Sequence, residues 1–410
     1  MSRATEAPPR LGPRPLPLHL LAASATWLSS LAALPLARRG SLAWSSGLEA
    51  EAAALRSALA SETAEALQAA LGGEVRRRLG LYLDGIAAYR AHPYRRALAD
   101  PPALWAEGTT RLFDYRPRGT PIAAALFVPS LINRAYILDL AAEASLMRHL
   151  AQAGIRAFLL DWAAPGDEER GFSLDDYIIG RLGAALDAAV AAHGGPVVLA
   201  GYCMGGLLAL PLALREPRKV SALALLATPW DFAADGGVQR GLLMAHRVML
   251  ARIVEGFGVL PTDVIQALFA GLDPLLAARK FVRFATLDPG GADARAFVAL
   301  EDWLNDGVPL AGPVARQCLF GWYDENRPGR GRFEVGGEAV LPARLAQPAL
   351  VVIPAADRIV PPPSAEALAA SIPHCTAWRP ALGHIGMMAS PRAGAALHEP
   401  LVRWIAAAGA

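Results

Sequence analysis

The sequence has few cysteines, little charge imbalance and no metal-ligand clusters, and each shortage closes off a class of protein. Only three cysteines occur in 410 residues: Cys203, Cys318 and Cys375. So sparse and odd a set is no disulfide framework. It points to a reducing compartment, which makes the cytoplasm the expected location. The net charge is only +2, and no basic run carries interleaved aromatics, so nucleic acid is not an expected partner. No His, Cys, Asp or Glu cluster has metal-ligand spacing, and no phosphate-binding glycine motif appears. Neither a metal nor a redox cofactor is therefore expected. Internal repeats and low-complexity tracts are lacking too. What remains is an apolar chain, 54% hydrophobic and 19% charged, able to bury the core of one large α/β domain with additions.

Those additions lie at the N-terminus. From Pro15 to Ala37 no residue carries a fixed charge, and Arg38-Arg39 follow. That length nearly spans a bilayer. Three readings compete: a signal peptide, a membrane or lipid-surface helix, and a helix packed on the protein itself. Leucines at helical spacing then predict a helix over Ser46–Leu71, broken by Gly72-Gly73 and resumed from Glu74 to about Ala91, where His92-Pro93 ends it. The basic stretch Glu74–Arg96 (Arg76, Arg77, Arg78, Arg90, Arg95 and Arg96) suits a solvated helix face better than a phosphate site. Asp100–Gly108 reads as a linker, which makes 1–108 a helical N-terminal region.

From Thr109 to the C-terminus (109–410) short apolar runs alternate with helical stretches. Strands are expected at 111–115, 122–128, 157–162, 197–202, 222–227, 349–353 and 376–379. Helices are expected at 134–152, 177–193, 204–215, 364–370 and 392–408. Continuous apolar strands alternating with helices imply a mainly parallel sheet covered on both faces. An insertion over about 232–340 lacks sheet signals and carries helix-like stretches at 241–253, 262–269 and 293–305. It is expected to form a lid that excludes water from a site.

The strand Pro196–Ala200 leads into Gly201-Tyr202-Cys203-Met204-Gly205-Gly206 and then a helix. Strand, G-x-nucleophile-x-G and helix form the nucleophile elbow of an α/β-hydrolase fold. Small residues on either side of Cys203 let the sharp turn form between strand and helix. The bland alternative is a buried cysteine in a glycine-rich turn. Chain order supplies partners, because this fold requires nucleophile, then acid, then histidine. Asp357 follows the strand Val351-Val352-Ile353, and His384 lies in Leu382-Gly383-His384-Ile385-Gly386 beyond the last strand. His374 and His398 are rivals, one at the wrong end of a strand and one inside the final helix. In these roles His384 takes the Cys203 proton and Asp357 orients His384. The backbone N–H groups of Met204 and Ile132 would hold an oxyanion. A thiolate exchanges well with thioesters, so an acyl-CoA donor suits Cys203.

These residues and their neighbours resemble the polyhydroxyalkanoate synthases, closest to the short class III catalytic type that acts with a second subunit. The likeness covers about Leu112 to the C-terminus. It rests on Phe127–Leu140, on Asp161-Trp162-Ala163-Ala164-Pro165 with Ser173–Tyr177, and on Gly201–Gly206. It rests also on Trp303-Leu304-Asn305-Asp306-Gly307, on Asp357 with Val360-Pro361-Pro362, and on Gly383–Gly386. Met204 stands where the family often has Gln, and the first hundred-odd residues do not match the short type. The resemblance implies transfer of a 3-hydroxyacyl group from CoA to Cys203, with CoA as part of the substrate and no cofactor. The growing polyester chain would be the acceptor. A second synthase subunit or a homodimer, and a polymer granule or lipid surface touching 15–37, are the implied partners.

Asn133 and Trp303 are further candidates. Asn133 would steer the oxyanion loop or cap the helix after it, and Trp303 would line an acyl tunnel or pack inside the lid. Asp161 and Trp162 read as structural. Two other functions stay open: hydrolysis by the same three residues, as a polyester depolymerase or acyl-CoA thioesterase, and a non-enzymatic granule protein that keeps the fold.

Overall fold

The computed structural model describes residues 9–45, 47–234 and 236–409. Its described residues form two compact units, one from segments 9–94 and 266–305, the other from 95–265 and 306–409.

The first unit is helical. It holds α1 (Leu16–Arg39), α2 (Glu49–Ala60), α3 (Ala64–Ala91) and the helices Leu276–Phe284 and Ala292–Asn305. Its core is aromatic: Tyr82 and Tyr89 of α3 meet Phe281 edge-to-face at ring separations of 6.4 and 5.6 Å, and Phe284 stacks on Phe297 at 4.4 Å. Such pairs add to the plain burial of their area. This packing places 266–305, part of the expected insertion, in the same unit as the N-terminal helices. The contacts join segments some two hundred residues apart, which no local pattern reveals. The boundary also falls at 94/95, short of the expected 108/109.

Within this unit, Gly72-Gly73 does not break the helix. The break falls at Ser61–Thr63, where the Thr63 hydroxyl caps the Ala66 amide at 3.2 Å. A long helix tolerates two glycines where tertiary packing supplies its stability. One side of α1 is packed, with Ala23 buried and Trp27 edge-on to Tyr82 at 6.0 Å. The other side exposes Leu18, Leu21, Leu28 and Leu36. By length and composition α1 is apolar enough to cross a membrane. Arg77 and Arg78 form exposed ion pairs with Glu74.

The second unit carries an eight-stranded sheet. Its strands are β1 (Ala103–Glu107), β2 (Thr110–Tyr115), β3 (Ala123–Val128), β4 (Ile155–Asp161), β5 (Val197–Tyr202), β6 (Val220–Leu226), β7 (Ala349–Val352) and β8 (Cys375–Trp378). They lie in the order β1-β2-β4-β3-β5-β6-β7-β8. β2 runs antiparallel to both neighbours, and the other pairings are parallel. β1 occupies the stretch expected to be a linker. Every residue of β3 and β5 is buried, as strands covered on both faces must be. The chain leaves β3 for β4 on one side and returns to β5 on the other. That reversal opens a crevice beyond the carboxyl ends of β3 and β5, where sheets of this kind bind ligands.

The expected helix 134–152 is mostly absent. Residues 135–138 form a short 3-10 turn, 139–141 pair with 144–145, and only α4 (Leu146–Gln152) is α-helical. Asp139 is the cause. Its fully buried carboxylate accepts from Tyr115 Oη at 3.0 Å, Ser145 Oγ at 2.6 Å, Arg148 Nε at 2.8 Å and Arg96 Nη2 at 3.1 Å. Four donors from three parts of the chain hold this segment open against a helix. Ser145, not Asn133, then caps α4, accepting from the Arg148 amide at 3.0 Å. Helices α5 (Gly183–His193) and α6 (Met204–Arg215) follow β4 and β5.

Candidate active site

At the carboxyl end of β5 the chain turns sharply into α6. Cys203 sits at the turn with φ 55° and ψ −127°, a conformation an L-residue holds only when its surroundings enforce it. Two backbone hydrogen bonds do so: the Cys203 amide donates to Leu226 O at 2.8 Å, and the Gly206 amide donates to Cys203 O at 3.0 Å. The flanking glycines let the backbones close. A Cβ on Gly201 would strike Gly206 Cα, and one on Gly205 would strike the carbonyl of Val128. Met204 opens α6, so its amide has no acceptor within the helix.

Asp357 and His384 reach Cys203 from β7 and β8. Beyond the paired strands, their loops continue to zip together. Ile353 N donates to Trp378 O at 2.8 Å, Ala355 N to Pro380 O at 2.9 Å and Ala356 N to Leu382 O at 3.0 Å. This ladder brings Asp357 Oδ2 to 2.7 Å from His384 Nδ1. The other carboxylate oxygen accepts from the Ile359 and Val360 amides at 2.8 and 2.9 Å, so the acid cannot rotate away from the ring. Both residues are buried. Burial works against a charged His384. The negative charge on Cys203 and hydrogen bonds to Asp357 and Cys203 outweigh it, so His384 is held well above its ordinary value. The arrangement is a cysteine facing an imidazole that a carboxylate orients.

The loop after β3 lies against the elbow, where a Cβ on Gly205 would meet the carbonyls of Val128 and Pro129. Trp162, just past β4, is buried and donates its indole N–H to Pro129 O at 3.0 Å. Val308 N donates to Ile132 O at 3.1 Å. The Ile132 amide itself points to Ser130 Oγ at a long 3.5 Å. Asn133 lies in the same turn, half-buried. Trp303 is buried in helix 292–305 of the helical unit. Its sequence neighbour Asp306 lies in the sheet unit, 3.6 Å from Arg134, and burial raises its carboxyl above the usual range. Of the rivals, His374 sits at φ 55° before β8. His398 is buried beside His149, 5.8 Å between ring centres.

Sequence reasoning assigned no catalytic part to Trp162 and gave none at all to Tyr202 or Val308. Trp162 had a signal, the Asp-Trp pair at a strand end, where Asp161 Oδ1 caps the Ala163 amide at 3.2 Å. It also packs edge-on against Tyr177 at 5.5 Å, joining two of the motif blocks.

A cysteine on the elbow with a histidine and an acid from the next strands defines the chain as an α/β-hydrolase-fold protein of the Cys-His-Asp kind. The family model described as alpha/beta hydrolase fold matches residues 126–384. The poly(3-hydroxyalkanoate) polymerase subunit PhaC of Allochromatium vinosum is 30% identical over 311 residues, 74% of this chain and 87% of that one. The protein of the same name from Synechocystis sp. is 30% identical over 74% of this chain and 83% of that one. Among solved structures, the monoacylglycerol lipase of Paleococcus ferrophilus covers 72% of this chain and 99% of its own at 19% identity, with a TM-score of 0.47. The chain belongs to the poly(3-hydroxyalkanoate) polymerase family.

Proposed function

We propose that the chain is a polyester synthase that moves 3-hydroxyacyl groups from CoA through a thioester on Cys203. The observation that carries this reading is a cysteine, rather than a serine, facing the Asp357–His384 pair in a member of this family. The Cys203 thiolate attacks the thioester carbonyl. The bond to the CoA sulfur breaks, and the departing thiolate takes the proton from the His384 imidazolium. His384, now neutral, accepts a proton from the hydroxyl of a second hydroxyacyl unit or of the growing chain. That oxygen attacks the acyl-Cys203 carbonyl, an ester forms and the thiolate returns. The amides of Met204 and Ile132 are assigned to the oxyanion of both steps, with Ile132 leaving its long contact to Ser130. Asp357 orients His384 throughout.

The test is incubation with 3-hydroxybutyryl-CoA, following free CoA and polymer together. Polymer that grows with CoA release is expected. CoA release yielding only free hydroxy acid overturns synthesis in favour of hydrolysis, and full CoA release by Cys203→Ala overturns the site. Contact with a polymer or lipid surface is assigned to the exposed leucines of α1. Replacing Leu18, Leu21, Leu28 and Leu36 with serine, which leaves the packed side of α1 in place, is then expected to spare turnover of soluble substrate and abolish granule association.

A further inference from the structure

Tyr202 is the last residue of β5 and immediately precedes Cys203. It is buried, and it touches His384 at two places. Its ring lies 5.3 Å from the imidazole, centre to centre, with the planes 32° apart. Its hydroxyl donates to the backbone carbonyl of His384 at 3.2 Å. One contact holds the side chain and the other the main chain. The second matters because, among the described residues, the backbone hydrogen bonds between the His384 loop and the Asp357 loop end at Leu382. Past that point Tyr202 fixes the carbonyl that precedes the short helix Gly386–Ala389.

We propose that Tyr202 is a positioning residue that holds the His384 imidazolium against Cys203 and so maintains the thiolate. The ring lies beside the imidazole in a water-poor site, where attraction to the charged form of the imidazole is stronger than at a surface. Burial and the nearby negative groups Cys203 and Asp357 push the Tyr202 hydroxyl well above its ordinary value, so it stays a donor wherever the enzyme works. No contact with substrate is involved. The proposal rests on the Cys203–His384–Asp357 assignment, but not on whether water or a hydroxyacyl chain takes the acyl group.

The measurement is the pH dependence of Cys203 alkylation by iodoacetamide, read on the Cys203 peptide so that Cys318 and Cys375 do not contribute. It is made on full-length wild type, Tyr202→Phe, Tyr202→Leu and His384→Ala, together with kcat and KM for CoA release. His384→Ala marks the limit, an unassisted thiol near about pH 8.5. Tyr202→Leu is expected to move the wild-type midpoint toward that limit by about one unit and to lower kcat roughly tenfold, KM staying within about twofold. Tyr202→Phe keeps the ring and is expected to shift the midpoint less, with a smaller loss of kcat. Wild-type midpoints in both variants overturn the proposal, as does a loss confined to KM. If Tyr202→Leu loses its cooperative melting transition, Tyr202→Phe decides alone: an unchanged midpoint and kcat overturn it. Absence of polymer with these shifts intact would count against the synthase reading and leave Tyr202 in place.

Discussion

Trp162 donates its indole N–H to the carbonyl of Pro129 at 3.0 Å, so a side chain at the end of β4 fixes the loop that begins at the end of β3. That loop carries Ile132, and the same hydrogen bond holds Pro129 where it lies against Gly205 of the elbow. Trp162→Phe keeps most of the packing against Tyr177 and removes only the donor. A buried carbonyl left unpaired costs about 1–3 kcal/mol. The expected outcome is a kcat for CoA release lowered roughly tenfold, with KM little changed and a modest drop in melting temperature. Steady-state kinetics and thermal melting check it.

Asp357→Asn keeps the shape of the acid and removes its charge. The amide then offers His384 Nδ1 either an N–H or a weaker acceptor, and the imidazolium loses a partner that raises it. A kcat lowered roughly 10²- to 10⁴-fold is expected. The alkaline limb of the pH–rate profile should move to lower pH, because the charged ring is less favoured. A full pH profile of CoA release is the check.

Gly205→Ala drives a methyl group into the Val128 carbonyl, which is backbone in the centre of the sheet and cannot step aside. Overpacking of this kind costs about 1–3 kcal/mol, and more where backbone must move. The variant is expected to unfold at clearly lower urea concentration, even before activity is considered. A urea titration followed by circular dichroism measures it.

His398 predicts an acid-side loss of stability. Burial and the neighbouring His149 lower it to about 4, and its Nε2 has no partner. The sign follows from proton counting. Below about pH 6.5 the unfolded chain binds a proton at this site and the folded chain does not, so folding weakens as pH falls. The weakening runs from about pH 6.5 down to about 4 and amounts to about 3 kcal/mol for a shift of this size. His398→Gln removes the group, so its urea midpoint should fall less than wild type between pH 7 and pH 4.5.

Much of the site was legible because its chemistry is local in sequence. The elbow needs small residues at fixed offsets from Cys203, and chain order leaves few choices for the acid and the histidine. The strands could be read where both faces are buried, since β3 and β5 are unbroken apolar runs. The reading failed where one distant group decides. Asp139 prevents the helix expected at 134–152, by drawing on Tyr115, Ser145, Arg148 and Arg96. β1 does not stand out from a linker in the sequence, because an edge strand with exposed residues carries no buried-strand pattern.

The sequence by itself determined the mainly parallel sheet, the turn that carries Cys203 and the candidacy of Asp357 and His384. These follow from residue type and spacing, which short-range sterics enforce. Only the tertiary structure decided what lies beside them. It set the ladder that brings Asp357 to His384, the Trp162 donor on Pro129 and the double contact of Tyr202 with His384. It also sent residues 266–305 to the N-terminal helices. Each joins segments far apart along the chain, and their meeting depends on which apolar faces find one another on folding.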